Sequence, residues 1–83
     1  MFRIKIAAKA RRELKNISKL HKDSIDLILK EIKDDPYIGK PLTRELTGRY
    51  SCKISVYRIV YTINKKDKKV YIITAGHRAK VYS

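Results

Sequence analysis

The first residues of the chain alternate between apolar and basic side chains. Phe2, Ile4 and Ile6 are separated by Arg3 and Lys5, which is the two-residue period of a strand that buries one face. We therefore predict an N-terminal strand over "FRIKIA", with its basic residues on the face that is not buried.

Two stretches with helical periodicity follow this strand. In "AKARRELKNISKL" and "KDSIDLILKEIKDD" the apolar residues recur mostly at intervals of three and four, which gives each stretch one apolar stripe. The short segment "SKLHKD" between the stripes predicts an antiparallel helix hairpin. Asp35 and Pro36 predict the end of the second helix, because the residue before proline avoids helical backbone angles. The stripes consist of Ala10, Leu14, Ile17 and Leu20, then Ile25, Ile28, Leu29 and Ile32.

The second half of the chain has the pattern of a sheet. The segment "PYIGKPLTRELTG" carries both prolines and two of the three glycines, so it predicts a loop. Three strands follow, "YSCKIS", "YRIVYTIN" and "KVYIITAG", and the polar turn "KKDK" joins the last two. This order predicts an α+β fold in which two helices pack on one face of a small, twisted, mostly antiparallel sheet. We expect residues 1–83 to form one domain.

The sheet face without helices is predicted to be cationic. Strand alternation places on it Lys53, Arg58, Thr62, Thr74 and Arg78, and Arg3 and Lys5 of the first strand can join them. On the last strand the same alternation groups Tyr71 with Ile73 and Ala75 on the opposite face. The predicted cationic face has no obvious acid on it.

The charge balance points to a polyanionic partner. The chain has 21 Lys and Arg against 8 Asp and Glu, a net charge of +13 and a pI near 10.1. Such an excess raises the cost of compaction by self-repulsion. Nucleic acid is the first candidate partner and an acidic protein the second, while a lysine-rich solubilising surface is the alternative without a partner.

Other compositional features exclude several classes of protein. The single cysteine, Cys52, cannot form an intrachain disulfide and has no neighbour at metal-ligand spacing, so we expect it to be buried and expect no metal site. No stretch reaches the roughly 18 to 20 apolar residues of a membrane span. The start of the chain lacks the apolar core of a secretory signal, which leads us to expect a cytoplasmic protein.

The order of elements, the stretch "YSCKISVYRIVY" and the ending "AGHRAKVY" resemble the RelE/ParE superfamily of toxins from toxin–antitoxin systems. The resemblance covers essentially the whole chain. It implies the RelE-like fold, a cognate acidic, RelB-like antitoxin as partner, and no cofactor. Its RelE branch implies a toxin that cuts messenger RNA on the ribosome without a metal, whereas its ParE branch implies a toxin that inhibits DNA gyrase.

The resemblance also implies site residues. Lys53 matches the second of two basic positions in its strand, Arg58 the arginine of the Tyr-Arg motif, Arg78 the arginine after glycine, and Tyr82 the C-terminal tyrosine. Ser51 stands at the first basic position, and Ser55-Val56 replaces the Gly-Asp that often precedes Tyr-Arg. Retention of the cationic set favours the RNase branch.

The chemistry of these residue types suits RNA cleavage by the 2′-hydroxyl. Arg58 and Arg78 are predicted to bind the phosphate through guanidinium groups, and Tyr82 to stack on an unpaired base or to join the proton transfers. Lys53 is the candidate base: lysine is mostly protonated at neutral pH, and crowding by arginines favours its neutral form.

The remaining predicted contacts are less specific. His77 carries an imidazole, the side chain best suited to acid–base work at neutral pH, but alternation places it on the helix-covered side or at the rim of the sheet, so a structural hydrogen bond is the other interpretation. His21, in the interhelical turn, is expected to be exposed and uninvolved. Arg3, Lys5, Ser51 and Lys80 are predicted RNA contacts.

We predict a ribosome-dependent messenger-RNA endoribonuclease. The alternatives are a gyrase-binding toxin of the ParE type and an inactive basic RNA-binding module.

Overall fold

The computed structural model describes residues 1–77. Its elements in chain order are β1 (Arg3–Ile6), α1 (Ala8–Asp34), β2 (Lys40–Pro41), β3 (Arg49–Ile54), β4 (Tyr57–Asn64) and β5 (Lys69–His77), with short 3₁₀ helices at Pro36–Ile38 and Arg44–Leu46. The predicted order of strand, helices and three strands is confirmed. The predicted loop also contributes β2, a two-residue edge strand.

The five strands form one open sheet in the order β1-β5-β4-β3-β2. β1 runs parallel to β5, and the remaining pairs are antiparallel, so the prediction of a mostly antiparallel sheet is confirmed. The turn between β4 and β5 is closed by Asn64, whose Oδ1 accepts a hydrogen bond from the Asp67 backbone amide at 3.0 Å.

The predicted helix hairpin occurs without a loop. Helical structure runs from Ala8 to Asp34, and His21 alone has non-helical angles, φ −130° and ψ 30°. The Phe2 amide donates to the Lys33 carbonyl oxygen at 3.1 Å, and the chain from Phe2 to Ala8 reaches at most about 21 Å. A straight helix from Ala8 to Lys33 would span about 37 Å. The helix therefore folds back at His21, in place of the expected six-residue connection.

Both halves of α1 cover the same face of the sheet. The core joins Ala10, Leu14, Ile17, Ile25 and Ile32 of the helix to Cys52, Ile54, Ile59, Tyr61, Val70, Ile72 and Ala75 of the strands. Cys52 is buried, as predicted. No helix within residues 1–77 combines the length and apolar character that crossing a bilayer requires.

One polar side chain crosses this core. Tyr61 is fully buried, and its hydroxyl donates to the Pro36 carbonyl oxygen at 2.7 Å and lies 3.7 Å from the Cys52 Sγ. A Cβ on Gly39 would collide with the same hydroxyl. Burial raises the pKa of Tyr61 and that of the Cys52 thiol. The tyrosine therefore ties the segment after α1 to the middle of the sheet.

A bulge in β5 changes the predicted sidedness of that strand. Tyr61 is opposite Ile72, whereas Val60 is opposite Thr74, so Ile73 is the extra residue. Before the bulge, Val70 and Ile72 join the helix-covered core. The prediction that grouped Tyr71 with Ala75 is therefore wrong, because the inserted residue reverses the alternation.

Thr74 also differs from its predicted role. Its hydroxyl donates to Glu13 Oε1 at 2.8 Å, and the Ala75 amide donates to the same oxygen at 3.2 Å. β1 ends opposite Ile72. The Glu13 carboxylate therefore accepts hydrogen bonds from the part of β5 that has no strand partner on this edge. The Thr74 hydroxyl is thus engaged at the sheet edge and does not add to the predicted cationic face.

Candidate functional site

Lys53 and Arg58 face each other across the β3–β4 hairpin. They are a direct cross-strand pair, which brings their Cβ atoms to about 4.5–5.5 Å. Arg58 in turn is opposite Gly76 of β5, which has no side chain to occupy the space beside the guanidinium. Both point away from the core residues Cys52, Ile54 and Ile59. The structure therefore brings these two predicted site residues together on the predicted face.

These two cations carry no neutralising partner within the described residues. The ion pair between Lys22 and Asp26 is the one found within residues 1–77, at 3.0 Å, and it lies on α1. Like charges directly opposite each other in a sheet are destabilising. Two cations held in register without an ion-pair partner are suited to attract an anion.

Two concave regions meet at this pair. One, of about 280 Å³, is lined by Lys53, Ser55, Val56, Arg58 and His77. The other, of about 490 Å³, opens along the edge of β3 and is lined by Ile28, Glu31, Ile38, Lys40, Ser51, Cys52, Lys53 and Arg58. Lys53 and Arg58 thus form the boundary that both regions share.

The second region contains two charged residues that the sequence analysis missed. Glu31 comes from the second half of α1, and Lys40 from β2. Glu31 directly precedes the buried Ile32, so its position beside an apolar stripe was visible in the sequence. Nothing in the linear pattern, however, linked that part of the helix to Lys53. Packing of α1 against β3 brings them to one depression.

His77 is the last residue of β5 and shares the helix-covered side of the sheet with Ala75, which is one of the two positions that the alternation left open. It is opposite Tyr57, and the two rings meet edge to face with centroids 6.3 Å apart. The Tyr57 ring also meets the His21 ring edge to face, with centroids 5.7 Å apart. The expectation that His21 is exposed is therefore wrong: it is half-buried, because the fold-back of α1 places it against Tyr57.

The other predicted RNA contacts are dispersed. Ser51 is buried at 6% exposure and is opposite Val60, one row of side chains from Lys53. Arg3 and Lys5 are exposed on β1, which β5 separates from β4. They share the helix-free face with Arg58 but lie toward its other end. Arg78, Lys80 and Tyr82 lie outside the described residues.

The sheet contributes cations and no acids to this surface. None of the 8 acidic residues of the chain lies in any of the strands described here. Within residues 1–77, no group of three His, Cys, Asp or Glu side chains is placed to hold a metal ion. The charge and spacing of Lys53 and Arg58 suit the binding of a phosphate group between them.

Comparison with known proteins agrees with the fold. A family model described as "ParE toxin of type II toxin-antitoxin system, parDE" matches residues 4–82. The chain is 29% identical to Toxin RelE of Mycobacterium tuberculosis over 98% of its own length and 86% of that protein. It is 42% identical to Toxin RelG of the same organism over 45 residues, a match that spans 54% of this chain and 52% of the relative.

Solved structures show the same architecture. A crystal structure of a RelBE toxin–antitoxin complex from Mycobacterium tuberculosis matches with a TM-score of 0.79 and 28% identity, over 93% of this chain and 98% of that one. The isolated RelE toxin of E. coli matches with a TM-score of 0.79 and 23% identity, over 99% and 92%. The family model bears the ParE name, whereas the named relatives are RelE-type toxins. The matches therefore differ in the branch but agree on the RelE/ParE superfamily.

The resemblance predicted from the sequence is confirmed: the chain belongs to the ParE toxin family of type II toxin–antitoxin systems, within the RelE/ParE superfamily.

Proposed function

We propose that this toxin is a messenger-RNA endoribonuclease that acts on ribosome-bound message in the cytoplasm. The observation that supports this most directly is the Lys53–Arg58 pair, held in cross-strand register without an acid within salt-bridge distance in the described residues. Gyrase inhibition by binding alone would not require two cations to converge on one point. The names of the relatives, Toxin RelE and Toxin RelG, point the same way.

The cleavage we propose uses the RNA's own nucleophile. The 2′-oxygen forms a bond to phosphorus, the bond from phosphorus to the 5′-oxygen breaks, and the products are a 2′,3′-cyclic phosphate and a 5′-hydroxyl. A base takes the proton of the 2′-hydroxyl, and an acid protonates the 5′-oxygen. Arg58 and Arg78 stabilise the extra negative charge on the phosphate, and Tyr82 stacks on an unpaired base.

We propose two candidates for the base and one for the acid. Lys53 borders both concave regions, and Glu31 borders the larger. Carboxylate and amine side chains both serve as general bases in enzymes. His77, which lines the smaller region together with Lys53 and Arg58, is the acid that we propose for the leaving oxygen. The ribosome supplies the substrate positioning on which a site with weak bases depends.

An acidic, RelB-like antitoxin is the partner we propose. The relative from Mycobacterium tuberculosis was solved as a toxin–antitoxin complex, and the net charge of +13 favours a partner of opposite sign. Binding of the antitoxin to the folded toxin stabilises it by mass action and neutralises the cationic face.

Primer extension on messages translated by purified ribosomes tests the function. We expect the wild-type protein to create new RNA ends within translated codons, and Arg58→Ala to lower the cleavage rate about a hundredfold or more, because a transition-state donor is removed. Arg12→Ala, on the exposed side of α1, is the matched control and should cleave like the wild type. Equal cleavage by folded Arg58→Ala would remove this residue from the site.

The ParE name of the matching family favours gyrase inhibition as the second candidate. A supercoiling assay with purified gyrase separates the two. Inhibition of gyrase together with no cleavage on ribosomes would overturn the endoribonuclease proposal.

A further inference from the structure

Tyr71 is an exposed aromatic ring on the helix-free face of an internal strand. It is 38% exposed, although β5 has β1 on one side and β4 on the other. The bulge at Ile73 puts it there, as the residues that flank it, Val70 and Ile72, both pack in the helix-covered core. On the same face toward the Lys53–Arg58 pair, Val60 is only 2% exposed. The face is therefore open at the Tyr71 end.

Cations surround this ring. The register across four strands aligns Lys5, Tyr71, Thr62 and Arg49 in one row, which is about 14 Å wide at the usual strand spacing of about 4.8 Å. The next row contains Arg3, Lys69 and Asn64. An aromatic ring in the middle of a row with a cation at each end is the arrangement that binds single-stranded nucleic acid: bases stack on the ring and phosphates meet the cations.

The charges around this surface are almost all of one sign. The nearest acid along the strands is Asp67 in the β4–β5 turn, which accepts a hydrogen bond from Asn64 Nδ2 at 3.1 Å. Three lysines, Lys65, Lys66 and Lys68, flank it in the same turn. The rim of the surface therefore adds to its positive charge.

We propose that Tyr71, with Lys5, Arg49, Arg3 and Lys69, forms a second RNA-binding surface that holds single-stranded RNA outside the cleavage site. Thr62, in its row, lies four positions along β4 from Arg58, a distance of about 13 Å. One strand of RNA several nucleotides long reaches both. The Thr62 hydroxyl and the Asn64 side chain lie between the cations and can hydrogen-bond to bases or riboses.

Single-stranded RNA fits this surface better than the other polyanions. An acidic peptide would use the cations but has no base to stack on the ring. Duplex RNA presents its phosphates, but its bases are already stacked and cannot reach a side chain that stands up from a sheet. Acidic peptide and duplex RNA are therefore the competitors that test the assignment.

The test is the affinity of the full-length protein for a fluorescently labelled, unstructured RNA of about 12 nucleotides, within the usual range of single-strand site sizes. The RNA carries 2′-O-methyl groups, so that it cannot be cleaved. We expect Tyr71→Ala to weaken binding about fivefold to a hundredfold and Tyr71→Phe to bind within about threefold of the wild type, because stacking needs only the ring. Tyr37→Ala, an exposed tyrosine of the 3₁₀ helix, is the matched control and should bind like the wild type.

The cations are tested by salt dependence. Removing one cation that binds a phosphate should reduce the slope of log affinity against log salt by about 0.7. We expect that decrease for Lys5→Ala and for Arg49→Ala, and no decrease for Lys30→Ala on the exposed side of α1. Lys5 is exposed on the edge strand, so we expect Lys5→Glu to fold. This variant replaces Tyr71→Ala as the test if Tyr71→Ala does not fold.

Two results would overturn the proposal. One is equal affinity of folded Tyr71→Ala and Tyr37→Ala with an unchanged salt slope in Lys5→Glu. The other is binding of a Glu-rich peptide or duplex RNA as tight as that of the single strand and equally dependent on Tyr71.

The proposal goes beyond the cleavage function and fails separately from it. Cleavage on ribosomes by the wild-type protein, together with RNA binding that does not depend on Tyr71, would remove this surface and leave the endoribonuclease. Binding that depends on Tyr71, without any cleavage, would do the reverse.

Discussion

On β4, Tyr57, Ile59, Tyr61 and Ile63 face α1, whereas Arg58, Val60, Thr62 and Asn64 face away from it. The covered face is closely packed, and no buried side-chain nitrogen or oxygen of the described residues lacks a hydrogen-bond partner. The uncovered face instead aligns Lys53 with Arg58, a like-charged pair that works against folding. The side of β4 that faces α1 therefore stabilises the fold, whereas the other side contains a destabilising pair of like charges. Such a local departure from stability is expected at a functional site.

The largest expected contrast in stability is between two adjacent residues. Ile59 is fully buried, so Ile59→Ala should lower the free energy of unfolding by about 2–5 kcal/mol through reduced burial and a cavity. Arg58→Ala, one residue earlier on the opposite face, should change it by no more than about 0.5 kcal/mol. Urea denaturation of both variants measures the contrast, and a similar loss in both would mean that Arg58 is a packing residue.

Gly39→Ala tests the polar contact that crosses the covered face. The new methyl group would collide with the Tyr61 hydroxyl and approach the Ser51 carbonyl oxygen to 3.1 Å, and Tyr61 is held by its bond to Pro36. We expect a loss of about 1–3 kcal/mol from overpacking. Tyr61→Phe removes the colliding hydroxyl and should recover part of this loss when combined with Gly39→Ala.

Gly48→Ala is the control for that pair. Gly48 has φ +94° and no neighbour within 4 Å of an added Cβ, so its substitution costs about 1–2 kcal/mol through the backbone alone. Tyr61→Phe should not reduce that cost. Equal rescue of both glycine variants would contradict a specific contact at Gly39.

The covered face should also make stability sensitive to alkaline pH. Burial raises the pKa of Cys52 above 9.0 and that of Tyr61 above 10.0, their ordinary values. Below those values both groups are protonated in the folded and unfolded chains, and their contribution is fully present. At higher pH the unfolded chain loses these protons before the folded one does, so stability falls, by at most about 1.4 kcal/mol per pH unit for each group.

Denaturation curves from pH 8 to pH 11 measure this effect. The double variant Cys52→Ala/Tyr61→Phe should lose less stability over that range than the wild type, although it starts lower because the Pro36 carbonyl oxygen loses its partner. Parallel curves for the two proteins would show that neither group is linked to unfolding.

The smallest expected effect is a gain in stability, and it comes from a substitution on the uncovered face. Lys53→Gln removes one charge of the Lys53–Arg58 pair, so it should raise the free energy of unfolding by a few tenths of a kcal/mol while it lowers cleavage. Thermal unfolding and primer extension on the same sample compare the two. A stability loss together with full cleavage would invert the distinction between the faces.

The sequence by itself was enough for most of the elements and for the side of the sheet on which two residues of the candidate site lie. Two apolar stripes, a loop rich in proline and glycine, and alternation along β3 and β4 predicted the fold class and put Lys53 and Arg58 on the uncovered face. These features are local, because a period of 2 or 3.6 is a property of neighbouring residues. The hairpin turn between β3 and β4 has only two residues, so the sidedness of one strand also fixes that of the next.

Tertiary structure decided the features that depend on residues distant in the chain. The bulge at Ile73 reverses the side of Tyr71, since an extra residue in one strand becomes visible only against the register of its partner. The parallel pairing of β1 with β5 sets Lys5 beside Tyr71. The fold-back of α1 brings His21 to Tyr57 and Glu31 to the edge of β3. Hydrophobic periodicity states which side of an element is buried; only the packed chain determines what lies across from it.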